Sequence, residues 1–257
     1  MVFHVRSNSL PSKSHPVIAN VKDHICRLKS FQEASVSASS LCTNLATLRD
    51  LHEDINNLIQ LPSVQKALID ENWASELLDG SLELVDICGI ARDIILLTKE
   101  SVEELESSLR RNRGIDTYMN SRKKIEKMVK KCIKNLKSFD QCSTNKDSNL
   151  ASALKEAQAI GFSVLKSALT IFASKQKTWS LVSKFSRSSH VHSQTEEEFY
   201  ALNIDELRKD METSSVKNVT KQLKETEMTF HELEENLAAF FRSLVKTRVS
   251  LLNVLNH

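Results

Sequence analysis

The sequence predicts an all-α fold, an elongated bundle of about five to six long helices around a central hydrophobic helix. Three observations predict it. Among 257 residues there are only four glycines and three prolines, too few for the many tight turns of a sheet protein of this size. The prolines, Pro11, Pro16 and Pro62, all fall in the first quarter, so the rest of the chain lacks the residue that breaks helices. Between Trp73 and Arg111, Leu77, Ser81, Leu84, Cys88, Ala91, Ile95, Thr98, Val102, Leu105 and Leu109 recur in steps of four and three, the spacing of one helix face. A second stripe (Leu78, Leu82, Val85, Gly89) and a third (Ile87, Ile90, Ile94, Leu97) make this helix apolar on most of its circumference. A helix wetted on one side needs one stripe, so this one is expected to be surrounded by others.

Taken in order, residues 1–15 read as a flexible arm, serine-rich and without acids. The arm contains Arg6-Ser7-Asn8-Ser9-Leu10-Pro11. With Ser9 phosphorylated, the set Arg6, Ser9, Pro11 matches the phosphopeptide that 14-3-3 proteins grip through an arginine cluster. The first helix starts at Pro16, where no amide donor is needed, and carries Ile18, Val21, Ile25 and Leu28. A small, serine-rich interval from Ala34 to Ser40 interrupts it before the pattern resumes at Leu41, Leu45, Leu48, Ile55 and Ile59. His52 shares that face and reads as a packed or boundary histidine. Leu61-Pro62 ends the helix, because the residue before proline is pushed out of the helical region. A helical turn from Ser63 to Ile69 leads through Asp70-Glu71-Asn72 into the central helix.

Arg113-Gly114 closes the central helix, and Asp116 caps the next, which runs to about Ser138. Its apolar line is Tyr118, Ile125, Val129, Cys132, Leu136 and Phe139. Its other side carries Arg122, Lys123, Lys124, Lys127, Lys130, Lys131, Lys134 and Lys137 against the single acid Glu126, a net +7 over sixteen residues. Residues 139–148 form a polar linker and the natural subdivision point of an otherwise single domain, 16–257. A helix from Asn149 to about Phe185 follows, then a mobile loop over 186–203. The stretch from Thr195 to Glu212 carries seven acids against two bases, with a short helix around Asp205 to Met211. The last helix begins near Ser214 and runs to the terminus. Its final third, with LAAFF and VSLLNVL, is apolar on more than one side and should pack beside the central helix.

A net charge of +2 gives no global field that would recommend nucleic acid or a membrane, so any such partner has to be met by a local patch. The five cysteines are odd in number, form no C-x-x-C pair and mostly sit on apolar stripes. They read as reduced, buried residues of a cytosolic or nuclear protein, and the cytoplasm is the expected location. No apolar run reaches the roughly 20 residues of a membrane span, and no signal-peptide core follows Met1.

HVRSNSLPSKSHP at the start, LHEDINNLIQLP, ELLDGSLELVDICGIARD, the RKK that opens the basic helix and LVKTRVSLLNVLNH at the end together resemble a plant-specific family of helical proteins. That family is grouped with the BYPASS-type proteins of root and shoot development. The resemblance spans the chain in the right order. It implies an all-helical fold and a developmental role, and brings no catalytic residue, ligand or cofactor.

The residues themselves point away from catalysis. Asp79, Asp86 and Asp93 recur every seven residues with Glu83 beside them, but a four-helix di-iron site needs Glu-x-x-His pairs, and no histidine here has an acid three residues before it. The aspartates read instead as lining a wetted groove or pairing across a helix interface, as Arg92 would with a neighbouring acid. Gly80 and Gly89 precede no phosphate-binding pattern and are expected to mark close helix approach. No nucleophile motif is present. The sequence therefore implies no metal, no cofactor and a non-enzymatic interaction protein with protein partners. The alternative is a peripheral membrane protein binding anionic lipid through the basic helix, 116–138. Structurally, that lysine face could instead pair with Glu100, Glu103, Glu104 and Glu106 or with the acidic 195–212 stretch. Nucleic acid fits least, for want of aromatic interleaving.

Overall fold

The computed structural model describes residues 16–32, 37–70, 73–111, 116–136, 149–173 and 213–256. They form seven helices and, among the described residues, no strand: α1 (Pro16–Gln32), α2 (Ala38–Ile59), α3 (Pro62–Asp70), α4 (Ala74–Arg110), α5 (Asp116–Leu136), α6 (Asn149–Ala173) and α7 (Thr213–Leu255). The all-α expectation holds, with boundaries close to those the sequence marks. Pro16 and Pro62 each open a helix, the position that tolerates a missing amide donor. The serine-rich interval contains a capping box. The Ser37 side chain accepts from the Ser40 amide, and the Ser40 hydroxyl receives the Ser37 amide. Asp116 is the first residue of α5 rather than the residue before it, and its carboxylate still faces the positive end of that helix. The expected cap at Gly114, the linker 139–148, the continuation of α6 to Phe185, the loop 186–203 and the helix near Asp205 lie outside the described residues.

Four helices close a ring: α4 packs on α7, α7 on α2, α2 on α6 and α6 on α4. Polar contacts fix their directions. Lys155 pairs with Glu76 and the Gln158 amide donates to Leu77 O, so α4 and α6 run parallel. His52 meets Thr247 and Asn56 meets Ser250, so α2 and α7 do too. Lys99 meets Glu234 while Arg248 meets Leu78, so α4 and α7 are antiparallel. Helix α1 packs against α2 and α6, and α5 against α4 and α6. Buried side chains from all seven helices join one hydrophobic cluster, with Leu84, Ile95, Leu48, Leu165 and Phe240 fully enclosed.

The central helix departs from expectation on one side. Its first stripe is buried from Leu77 to Leu105. Helices α5, α6 and α7 cover three sides of it. The fourth faces solvent and carries Leu82 and Leu96 with Asp79, Asp86 and Asp93. From the third stripe, Ile87 and Ile94 are buried while Ile90 is exposed. Apolar character around the circumference therefore does not mean complete enclosure. The C-terminal helix does lie beside α4, as its apolar last third requires. The cysteines also divide: Cys42, Cys88 and Cys132 are buried and free, whereas Cys26 is exposed, and Cys142 lies outside the described residues. Burial pushes the Cys88 thiol up to about 12 and the Cys42 thiol up to about 11, so neither is a ready nucleophile.

Candidate functional site

The strongest charged feature is the outer face of α5. Tyr118, Ile125, Val129, Cys132 and Leu136 are buried against α4 and α6, and this one-sided stripe turns the opposite arc to solvent. That arc presents Lys123, Lys127, Lys130, Lys131 and Lys134, all exposed, with Lys124 at its margin. From Lys123 to Lys134 the array runs about 16 Å at the helical rise of 1.5 Å per residue. Arg122 does not belong to it: the half-buried guanidinium donates to Phe172 O at 3.1 Å and ties α5 to the end of α6. Lys130 pairs with Glu126 at 2.7 Å within the helix. Among the described residues no carboxylate lies within ion-pair distance of Lys124, Lys127, Lys131 or Lys134. Lys137 and the acidic 195–212 stretch lie outside the described residues, as does the arm motif of Arg6, Ser9 and Pro11.

The α4 acids suggested as lysine partners face elsewhere. Glu106 pairs with Arg110 at 2.7 Å, and Glu100, Glu103 and Glu104 line a surface depression with Ser107, Ser108 and Arg111. Among the described residues no three His, Cys, Asp or Glu side chains gather as a metal-ligand set. Asp79, Asp86 and Asp93 are exposed on the open side of α4. The expected pairing of Arg92 with an acid is replaced by a ring contact, its guanidinium lying 4.8 Å from the centroid of Phe241.

Close approach applies at Gly80 and not at Gly89. A Cβ on Gly80 would lie 2.6 Å from Gln158 Oε1, so the missing side chain makes room for the Gln158 amide to reach Leu77 O at 2.8 Å. A Cβ on Gly89 would meet only Phe241, at 3.9 Å, an ordinary contact. The close glycine that the sequence reading missed is Gly161 on α6, whose Cβ would lie 3.0 Å from Leu84 Cδ2.

A polar seam inside the ring was also missed. Arg248 on α7 donates to Leu78 O at 2.5 Å and to Ser81 Oγ at 3.0 Å. The Ser250 hydroxyl donates to Asn56 Oδ1 at 2.5 Å. The Thr247 hydroxyl lies within donating distance of Ser243 O and His52 O, which leaves its oxygen to accept from His52 Nδ1 at 3.4 Å. His52 is 4 % exposed and packed edge-on against Phe240. Its Nε2 has no hydrogen-bond partner among the described residues, and burial lowers its pKa to about 4. A cavity of about 20 Å³ lies among His52, Ser81, Gln158, Thr247 and neighbouring leucines, room for one water-sized molecule and no substrate. The available signal was spacing: Thr247 and Arg248 stand three and four residues after Leu244, on the buried stripe.

No described helix is long and apolar enough to cross a membrane. A family model described as Protein BPS1 matches residues 44–254. Neither the curated proteins nor the solved structures contain a match to this chain.

Proposed function

We propose, because this chain belongs to the BPS1 family, that it acts as a non-enzymatic helical interaction protein in plant root and shoot development, meeting an acidic protein partner through the lysine face of α5. Membership of that family fits a developmental role in plants. The observation that carries the mode of action is the exposed array Lys123 to Lys134, in which four lysines hold no ion pair among the described residues. Charges left unpaired on a firmly seated helix keep their interaction energy for a partner and speed encounter with an acidic surface.

Affinity purification from plant tissue tests this reading. The wild-type chain should retain a specific partner that Lys127→Glu/Lys131→Glu/Lys134→Glu loses while remaining helical by circular dichroism. Equal recovery with both baits would overturn it, and a stoichiometric metal or cofactor in the purified protein would reopen the enzyme reading. The same face supports a second reading, contact with anionic lipid headgroups at about 1 kcal/mol per lysine near the surface. Sedimentation with phosphatidylserine vesicles separates the two. Salt-sensitive pelleting that the triple variant abolishes would favour lipid.

A further inference from the structure

The open side of α4 continues onto α7 as an apolar face that the ring leaves unpartnered. Leu82 is 44 % exposed, Val245 37 % and Val249 48 %, with Val85 and Phe241 half-buried between them. The antiparallel contacts set the levels. Arg92 stacks on Phe241, and Arg248 reaches Leu78, so Leu82 and Val85 stand opposite the turn that carries Val245 and Val249. Gly89 adds a shallow notch, since a Cβ there would meet only Phe241, at 3.9 Å.

Opposite charges border this face on its two long edges. On the α4 edge Asp79, Asp86 and Asp93 form an exposed row, and on the α7 edge Arg242 and Lys246 are exposed. Among the described residues none of the five has an opposite charge within ion-pair distance. A face with acids along one edge and bases along the other is complementary to itself under one operation. A two-fold axis parallel to the helices carries the acidic edge of one copy onto the basic edge of the other. A two-fold axis across the helices would set acids against acids.

We propose that this face binds a second copy of the chain, α4 of each protomer lying over α7 of its partner about a two-fold axis parallel to both. The apolar centre supplies the attraction, and the two edges set the orientation. The lysine face of α5 lies on a different side of α4, so dimerisation and partner binding do not compete.

The test is sedimentation equilibrium on the full chain across a wide concentration range. The wild type should self-associate. Leu82→Glu and Val249→Glu should each abolish association with the helical circular dichroism retained. Asp86→Lys alone and Arg242→Glu alone should each weaken it about tenfold at low salt, since each opposes like charges in both symmetric contacts. A mixture of those two variants should recover wild-type affinity, because every contact then joins opposite charges. A chain that stays monomeric throughout would overturn the proposal. A dimer indifferent to Leu82→Glu and Val249→Glu, or a mixture no better than its components, would do so equally.

Discussion

Burial of His52 ties the stability of the bundle to pH. Its folded pKa is near 4, whereas an unfolded histidine titrates near 6.5. Between those values the unfolded chain binds a proton that the folded chain refuses, so stability falls as pH drops through about 6.5 and the loss is complete near 4. The slope approaches about 1.4 kcal/mol per pH unit. Urea denaturation at pH 7 and pH 5 should therefore show a loss of about 2 kcal/mol in the wild type that His52→Leu lacks. Comparison with the variant isolates the contribution of His52 from that of every other group that titrates in this range. The glycines make a second contrast at this scale. Gly161→Ala gains about 1 kcal/mol of helix propensity but drives a methyl group against the fully buried Leu84, an overpacking cost of about 1 to 3 kcal/mol. Gly89→Ala keeps the gain without the clash. Thermal melts should place Gly161→Ala below the wild type and Gly89→Ala level with it or above. Both are glycines at helix-interior positions, and the difference depends on which neighbour lies over each, a fact of tertiary packing that spacing along one helix does not encode.

At the scale of elements, stripes and breakers in the sequence locate the helices, while the partners of each face come from three dimensions. Pro16, the Ser37–Ser40 box and Pro62 fix α1, α2 and α3 through local chemistry. The three stripes of α4 show how much of it is apolar, yet they do not show that α7 covers only one flank of it and leaves Leu82 in water. The join between α4 and α7 depends on polar groups the stripes pass over. Arg248 satisfies Leu78 O and Ser81 Oγ together, so Arg248→Met keeps the apolar stem and removes the donors. It should cost about 1 to 3 kcal/mol, the range for stripping a charged donor from part-buried acceptors, read as a lower urea midpoint with unchanged slope. A loss smaller than about 0.5 kcal/mol would mean that water replaces the guanidinium there.

For the whole molecule, the ring of α2, α4, α6 and α7 and the three helices laid against it, α1, α3 and α5, predict an order of opening. Ring helices are held from two or more directions, and α4 between Leu84 and Ile95 is covered on three sides by α5, α6 and α7. Helix α1 buries Val21, Ile25 and Leu28 against α2 and α6 and leaves most of its remaining surface in water. Its cross-helix ion pair between Lys29 and Glu156 is exposed, so that pair adds little. Local opening follows the apolar contact that must be broken, so α1 can detach while the ring stays intact. Native-state hydrogen exchange should show the slowest amides in Leu84–Ile95 of α4 and Phe240–Leu251 of α7, with α1 exchanging through a lower-energy opening. Added urea should accelerate exchange in α1 only weakly and in the ring steeply, because global unfolding exposes far more surface than release of one helix. If α1 instead exchanged with the same urea dependence as α4, the seven helices would form a single cooperative unit, and the ring would have no separate thermodynamic standing.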